Sequence, residues 1–291
     1  MYYFFLYIIK TIWKWGRYKP LVKNPFGHFY SPIISKVEID ELKDVIWGQN
    51  RSVQGVDLNV NGQRRLLKEF ERYYSHNPFD DKRIKMRFYF GNGSFEQSDA
   101  LLLYFIIKHF TPRKIMEIGS GFSSALMFDI KECCMPDIDL TFIEPFPAVL
   151  NSLLKKEDLL KCEILTTKVQ NVSVERFTEL NENDILFIDS SHVSKTGSDV
   201  NFEIFEILPN LNKGVIVHFH DIFYPFEYPE QWVYDGRNWN ECYVLRAFLS
   251  NNSNYEILAF SDFLHKQQGD VFEKMPLMRV DSGGSLWIRK K

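Results

Sequence analysis

Lys114-Ile115-Met116-Glu117-Ile118-Gly119-Ser120-Gly121-Phe122-Ser123-Ser124 joins a short apolar run to a Gly-x-Gly turn and then to the start of a helix. Gly119 and Gly121 permit a tight turn and a close approach of backbone to a ligand. The helix that follows points its positive end at whatever lies there. The same unit recurs downstream: apolar strand segments at 114–118, 139–143, 163–167, 184–188 and 214–219 are separated by helical stretches at 123–131, 147–158, 173–180 and 198–208. Five strands alternating with four helices predict a parallel, doubly wound α/β sheet. A helix over 240–250 and strands over 255–261 and 285–289 bring the sheet to seven strands. The last two strands are joined without room for a clear helix, which predicts an antiparallel hairpin at one edge.

Upstream of these units, Ser98 or Asp99 caps a helix over Ala100–His109 that stops before Thr111-Pro112. Residues 20–95 are punctuated by Asn24-Pro25, Ser31-Pro32, Asn61-Gly62 and Asn77-Pro78, with one helical stretch from Gln63 to Tyr74. They read as an N-terminal cap region (21–96) ahead of the main domain (97–291). A chain of 291 residues, 45% hydrophobic, can bury a sizeable core, which excludes a disordered chain, a fibre or a multi-pass membrane protein. With 35 Lys and Arg against 38 Asp and Glu there is no strongly basic field, so nucleic acid is not an expected partner. Cys133, Cys134, Cys162 and Cys242 form no C-x-x-C pair and are too sparse for a disulfide scaffold, so the expected compartment is the reducing cytoplasm.

The charge is unevenly spread. Residues 1–37 hold Lys10, Lys14, Arg17, Lys19, Lys23 and Lys36 and no acid. The apolar run Met1–Ile9 is too short to span a bilayer and lacks the features of a secretory signal. Residues 1–20 therefore read as a short aromatic helix with one basic stripe. Such a helix can lie at a membrane interface, giving peripheral contact with anionic lipid. Alternatively it packs Tyr2, Phe5 and Ile9 on the protein's own core or on a second subunit, which would make a homo-oligomer.

In sheets of this kind ligands sit at the carboxyl ends of the strands, beside the first strand. Glu144 stands after the second strand, 23 residues beyond Gly121, where a carboxylate can accept hydrogen bonds from both hydroxyls of a ribose. Strand, Gly-x-Gly, helix, strand and acid in that order predict a nucleoside-containing cofactor. A dinucleotide site usually has a third glycine where Ser124 stands. Glu117, aimed into the same crevice, would repel a pyrophosphate and welcome the ammonium of an amino acid. Both features favour S-adenosylmethionine. An NAD(P)-dependent oxidoreductase is the competing enzyme class, and a non-catalytic, membrane-associated module that retains the fold is a third reading.

Glu117-Ile-Gly-Ser-Gly121 followed by Glu144-Pro145 resembles the class I S-adenosylmethionine-dependent methyltransferases. More narrowly, Asp184-Ile-Leu-Phe-Ile-Asp-Ser-Ser-His192, Gly197-Ser-Asp-Val200 and Gly214-Val-Ile-Val-His-Phe-His-Asp-Ile222 resemble a bacterial-type branch of the methyltransferase-24 kind. Tyr228-Pro229, Trp239-Asn240-Glu241 and Gly283-Gly-Ser-Leu-Trp287 match that branch, as do Gly27–Pro32 and Gly55–Asn59 more loosely. The resemblance runs from about residue 27 onward and does not cover residues 1–20. It implies that Glu117, Gly119, Ser120 and Gly121 hold the methionine end of the cofactor and Glu144 the ribose. It also implies that Gln170, in the loop Val169-Gln170-Asn171, lies along the adenine edge where such families often carry an acid, and that Asp189 closes the floor beneath the sulfonium.

Asp189, His192, His218, His220 and Asp221 gather at the ends of the fourth and fifth strands. Methyl transfer to a hydroxyl is an in-line displacement, so the acceptor must be oriented and its proton removed. A histidine near its neutral pKa, or an aspartate aimed at the hydroxyl, suits the base role. Asp189, His192, His220 and Asp221 are the catalytic candidates. On the fifth strand, His218 and His220 face one way and Phe219 the other. A divalent cation can lower the hydroxyl's pKa. In related O-methyltransferases, acids after these two strands bind magnesium. The resemblance thus makes Asp189 and Asp221 candidate metal ligands, with His220 beside them, although Ile222 stands where an Asn ligand would be. The aromatic stretch Phe223–Tyr243, with Arg237 inside it, suits stacking on a sugar or aromatic acceptor, or a lid that excludes water. Gly91–Phe95 is placed to close over the cofactor from the other side. The expected reaction is O-methylation of a small-molecule or carbohydrate hydroxyl.

Overall fold

The computed structural model describes residues 22–48, 52–79 and 86–291, and the aromatic, basic segment 1–20 lies outside them. The chain divides into two compact units, residues 1–49 and 50–291. In the first, α1 (Lys36–Trp47) begins at Ser35, whose hydroxyl accepts a hydrogen bond from the Glu38 amide and satisfies one of the free donors of the first turn.

The second unit is built on one seven-stranded sheet. Its strands are β1 (Lys114–Ile118), β2 (Asp139–Ile143), β3 (Glu163–Leu165), β4 (Ile185–Ile188), β5 (Ile216–Phe219), β6 (Tyr255–Phe260) and β7 (Leu286–Lys290). They lie in the order β3-β2-β1-β4-β5-β7-β6. β1 to β5 are mutually parallel, and β7 runs antiparallel to both β5 and β6. All four residues of β4 and of β5 are buried. Strands covered on both faces are mostly apolar, so β4 reads as a continuous run without alternation, while β5 admits the buried His218, whose ring bonds the Ser285 hydroxyl and stacks on Phe187.

The helices follow from the same burial argument. Between residues 98 and 107, every side chain of α3 (Gln97–Phe110) is buried, as expected of a helix that is apolar all round. α2 (Val60–Tyr74) buries Gln63, Leu67 and Phe70 along one face. The Gln63 side chain bonds the Leu58 carbonyl at 2.6 Å and the Phe260 amide at 2.8 Å, tying α2 to β6. Thus α2, part of the expected cap region, packs against β6 and α3 within the same unit as the sheet.

The remaining crossover elements are α4 (Phe122–Cys133), α5 (Ala148–Leu153), α6 (Val174–Phe177) and a continuous helical run over 199–210. This run comprises α7 (Asp199–Phe202), a π turn (Glu203–Ile207) and α8 (Leu208–Asn210). The π turn comes just before Pro209, which has no amide proton for the helical ladder. Two expectations are corrected. The stretch 147–158 is not one helix: α5 ends at Leu153 and a separate 3-10 turn covers Lys156–Leu160. The last two strands do pair antiparallel at one edge, but they are not joined without a helix: Ser261–Gln267 is helical directly after β6, and two 3-10 turns follow before β7. The aromatic stretch carries α9 (Glu230–Tyr234), and α10 (Glu241–Leu249) follows it. No helix among the described residues is long and apolar enough to cross a membrane.

Candidate active site

A cavity of about 470 Å³ opens at the carboxyl ends of β1, β2 and β4, where the order of the sheet reverses. Its walls include Gly119, Glu144, Phe146, Gln170, Asp189 and Lys195. The turns that shape it are extensions of the parallel ladder. The Gly119 amide donates to the Ile143 carbonyl (3.0 Å) and the Asp189 amide to the Ile118 carbonyl (2.8 Å). Gly119 has φ +80°, and a Cβ there would stand 1.8 Å from the Asp189 carbonyl oxygen, so only glycine fits where these two turns touch.

Glu144 lines the cavity with both carboxylate oxygens already anchored. One accepts from the Ser120 amide (3.1 Å) and the other from the Phe146 amide (2.7 Å), which orients the group across the glycine turn. The Gln170 amide donates to the Gly197 carbonyl (2.9 Å), bridging two loops of the rim. The Ser120 hydroxyl is buried without a partner between the two glycines, and, contrary to expectation, neither Ser120 nor Gly121 lines the cavity. The volume and the anchored Glu144 carboxylate fit a nucleoside cofactor of drug-like size.

Glu117 takes a different place from the one expected. It is fully buried and does not line the cavity; the Ser123 and Ser124 hydroxyls, in the first turn of α4, both donate to it. The Ser124 hydroxyl also accepts from the Gly121 amide (3.0 Å). A serine in place of a third glycine thus ties the turn to the strand-end acid. Burial drives the Glu117 pKa up to about 8, against the pull of the two serines. The group is therefore largely protonated at neutral pH and acts as a latch beneath the helix.

Beside the cavity lies the second constellation. Asp189 belongs to both, lining the cavity and approaching His192 Nε2 at 3.4 Å. Asp221 approaches the same nitrogen at 3.7 Å and His220 Nε2 at 3.7 Å. His192 and Asp221 hold φ of +59° and +58°, a left-handed backbone that is uncommon outside glycine and concentrates at functional sites. Gly284 makes room for this: a Cβ on it would meet the Asp221 backbone at 3.0 Å. Asp99, at the start of α3, draws the β7 entry inward by accepting from the Gly284 amide (3.0 Å) and the Ser285 hydroxyl (2.6 Å).

Two acids that the sequence reading gave no role complete the cluster. Glu241, at the start of α10, accepts from His192 Nδ1 at 2.8 Å, and Glu203, on the π turn, accepts from the Ser190 hydroxyl at 3.1 Å. Both are fully buried. Burial and the neighbouring Glu241 push the Glu203 pKa well up, which favours its neutral form. Burial would strip His192 of its proton, but hydrogen bonds to Asp189 and Glu241 prevail and raise its pKa well above the usual value. The two carboxylates thus favour the protonated imidazolium form of His192. Burial opposes the charge on Asp189, yet His220 and His192 outweigh it and hold that carboxyl below its usual range. Burial raises Asp221, and its acidic neighbours raise His220 against the cost of burial.

His218 is a core residue. It stacks on Phe187 with ring centres 3.8 Å apart, bonds the Ser285 hydroxyl at 3.0 Å and is kept neutral by burial. The expected metal site does not assemble: among the described residues no three His, Cys, Asp or Glu side chains converge so as to hold a metal ion. Asp189, His220 and Asp221 are instead spaced around the His192 imidazolium. Gly91 and Gly93 donate to Glu96, and Phe95 packs its ring 5.4 Å from that of His220, so this loop covers the second constellation and does not line the cavity.

A family model described as a methyltransferase domain matches residues 116–222, from within β1 to just past β5. An uncharacterized protein of Archaeoglobus fulgidus is 33% identical over 183 residues, covering 59% of this chain and 81% of that protein. Among solved structures, the S-adenosylhomocysteine-bound methyltransferase PaMTH1 of Podospora anserina aligns at 13% identity with a TM-score of 0.44, over 89% of this chain and 97% of that one. The O-methyltransferase TomG of Streptomyces achromogenes, in complex with S-adenosylmethionine, aligns at 13% identity and 0.44 over 78% and 89%.

Proposed function

Because the chain belongs to the class I S-adenosylmethionine-dependent methyltransferases, in the methyltransferase-24 branch, we propose that it transfers a methyl group to a hydroxyl of a small-molecule or carbohydrate acceptor. The observation that carries this reading is the position of Asp189, which lines the cofactor-sized cavity on one side and approaches the His192 imidazolium on the other.

S-adenosylmethionine would occupy that cavity, with Glu144 toward the ribose and the Gly119–Gly121 turn toward the amino-acid end, and would supply an electrophilic methyl group on a cationic sulfur. Asp189, kept ionised by the two histidines, stabilises positive charge at the floor of the cavity. Asp221 is the group that takes the acceptor proton: it is a carboxylate of raised basicity, only partly exposed, at the edge of the same cluster. His192 lies between Asp189 and Asp221, and its charge lets both remain anionic at short range. Glu241 fixes the imidazole through Nδ1, leaving Nε2 toward the two aspartates. A base aligned with a bound hydroxyl contributes roughly 10²–10⁴-fold to such a transfer.

Calorimetric titration with S-adenosylhomocysteine and, separately, NADH tests the cofactor assignment. The first is expected to bind and the second not, and Glu144→Ala is expected to weaken the first by about 10- to 100-fold, or roughly 1.4–2.8 kcal/mol. Binding of NADH, or affinity for S-adenosylhomocysteine unchanged by the substitution, would overturn the proposal.

A further inference from the structure

We propose that Arg237 is the anion-binding end of the acceptor site, so that the acceptor is a hydroxyl compound bearing a carboxylate or a phosphate. The inference rests on the methyltransferase reading for the chemistry at the hydroxyl and on separate geometry for the anion.

That geometry begins with a turn. Residues 235–240 reverse the chain after α9 using Gly236 at φ +75° and Asn238 at φ +52°. The Arg237 amide donates back to the Trp232 carbonyl (3.2 Å). At its far end the turn is locked to the catalytic loop. Asn240 exchanges two side-chain hydrogen bonds with the Ser194 backbone (2.6 and 3.1 Å), and the Asn240 and Glu241 amides both donate to the His192 carbonyl. Arg237 is therefore held three residues from an anchor on His192 itself.

The side chain is held as firmly as the turn. Its guanidinium carbon stands 3.9 Å from the centre of the Trp232 ring and 4.9 Å from that of Trp239, while Trp239 packs its other contact on the His192 ring at 4.4 Å. One indole thus links the guanidinium to the imidazolium of the reacting cluster. Phe223, edge-on to Trp232 at 5.0 Å, and Tyr228, edge-on to Trp239 at 6.0 Å, extend the aromatic wall.

Stacking satisfies the faces of a guanidinium and leaves its in-plane N–H donors open. Arg64, Arg87, Arg176 and Arg289 all turn those donors to carboxylates, whereas no carboxylate among the described residues pairs with Arg237. An immobilised, exposed fork of donors beside a reaction centre is suited to the planar oxygens of a carboxylate or to a phosphate, and it has already lost much of the side-chain freedom that binding would otherwise cost. It also separates the charges: in the reacting cluster the His192 imidazolium is already engaged by Asp189, Asp221 and Glu241, and Arg237 gives the acceptor's anionic end a cation of its own away from those carboxylates.

The test uses the full chain with saturating S-adenosylhomocysteine and three probes titrated by calorimetry: 3,4-dihydroxybenzoate, 4-hydroxyphenyl phosphate and the neutral 3,4-dihydroxybenzamide. At least one anion is expected to bind about tenfold tighter than the amide. Arg237→Gln should bring that ratio to about one, and Arg237→Lys, which keeps the charge without the fork, should leave an intermediate ratio. Equal binding of anions and amide, no binding of either anion up to about 20 mM, or a ratio that survives Arg237→Gln overturns the proposal. If S-adenosylhomocysteine fails to bind while the Arg237-dependent anion preference persists, the cofactor reading falls and the anion site stands. If S-adenosylhomocysteine binds and the preference is absent, the reverse holds.

Discussion

Replacing Gly119 with alanine tests the claim that the cofactor cavity exists because two strand ends touch. The substituted residue must keep φ near +80°, which costs an L-residue roughly 1–2 kcal/mol. Its methyl group must then share space with the Asp189 carbonyl oxygen, which lies 1.8 Å from the ideal Cβ position. That neighbour is backbone, pinned by the Asp189 amide's bond to Ile118, and cannot swing aside as a flexible side chain could. Relief of the overlap requires β1 and β4 to part at their ends, an overpacking strain of about 1–3 kcal/mol. The sum is about 2–5 kcal/mol, and for a unit of this size each kcal/mol lowers Tm by roughly 2–4 °C. Differential scanning calorimetry should therefore show a fall of about 6–12 °C for a mid-range loss near 3 kcal/mol, together with loss of S-adenosylhomocysteine binding. Gly121→Ala is the internal comparison: no atom lies within 4 Å of its Cβ position, so its stability should stay within about 0.5 kcal/mol of the parent. Equal Tm values for the Gly119 variant and the parent, or equal losses in both variants, would refute the touching-turn argument.

Two further expectations concern buried charge. Glu117 keeps its proton up to about pH 8 in the folded chain, whereas the unfolded chain releases it near the ordinary value of 4.5. Its contribution is therefore greatest below the lower value and declines as pH rises toward 8, by on the order of 4 kcal/mol. Urea midpoints at pH 5 and pH 8 should show Glu117→Gln losing much less stability than the parent over that interval, and parallel losses would contradict a protonated latch. Arg87 donates to Asp129, Asp158 and Glu132, the first two buried with it. Arg87→Met should cost about 3–5 kcal/mol in urea denaturation because two buried carboxylates lose their counter-ion; a loss below about 1 kcal/mol would mean that the cluster is screened like a surface pair.

How much of this could be read beforehand depends on the distance over which each residue acts. Central strands such as β4 announce themselves, because burial on both faces favours unbroken apolar sequence, and β5 does so despite its one buried histidine, His218. That Gly119 and Glu144 would stand together at the ends of β1 and β2 was equally legible, being fixed by local order along one crossover. The helix after β6 was missed because Ser261 follows Phe260 with no intervening turn residues. Glu117 was recognised as special but aimed wrongly, since the decisive partners are hydroxyls that could as well have faced solvent. Glu203 and Glu241 lie far from His192 in sequence, and only folding brings them together. An acid at 203 on the same helical face as Val200, Ile204 and Ile207 was the one available sign that a charge had been built into the core.

The position of β7 between β5 and β6 has a consequence for assembly in time. β6 precedes β7 in the chain yet has no strand to pair with until β7 arrives, and β5 likewise presents an open edge. During synthesis, which proceeds from the N-terminus, the cofactor half of the sheet can close early. The β5–β7–β6 edge must wait, because Asp99 receives the Gly284 and Ser285 groups it binds only when the β7 entry docks. A nascent chain at that stage exposes an unpaired apolar edge, the kind of surface that invites aggregation or chaperone capture. β7 is thus the strand whose docking closes the edge of β5 and gives β6 its partner.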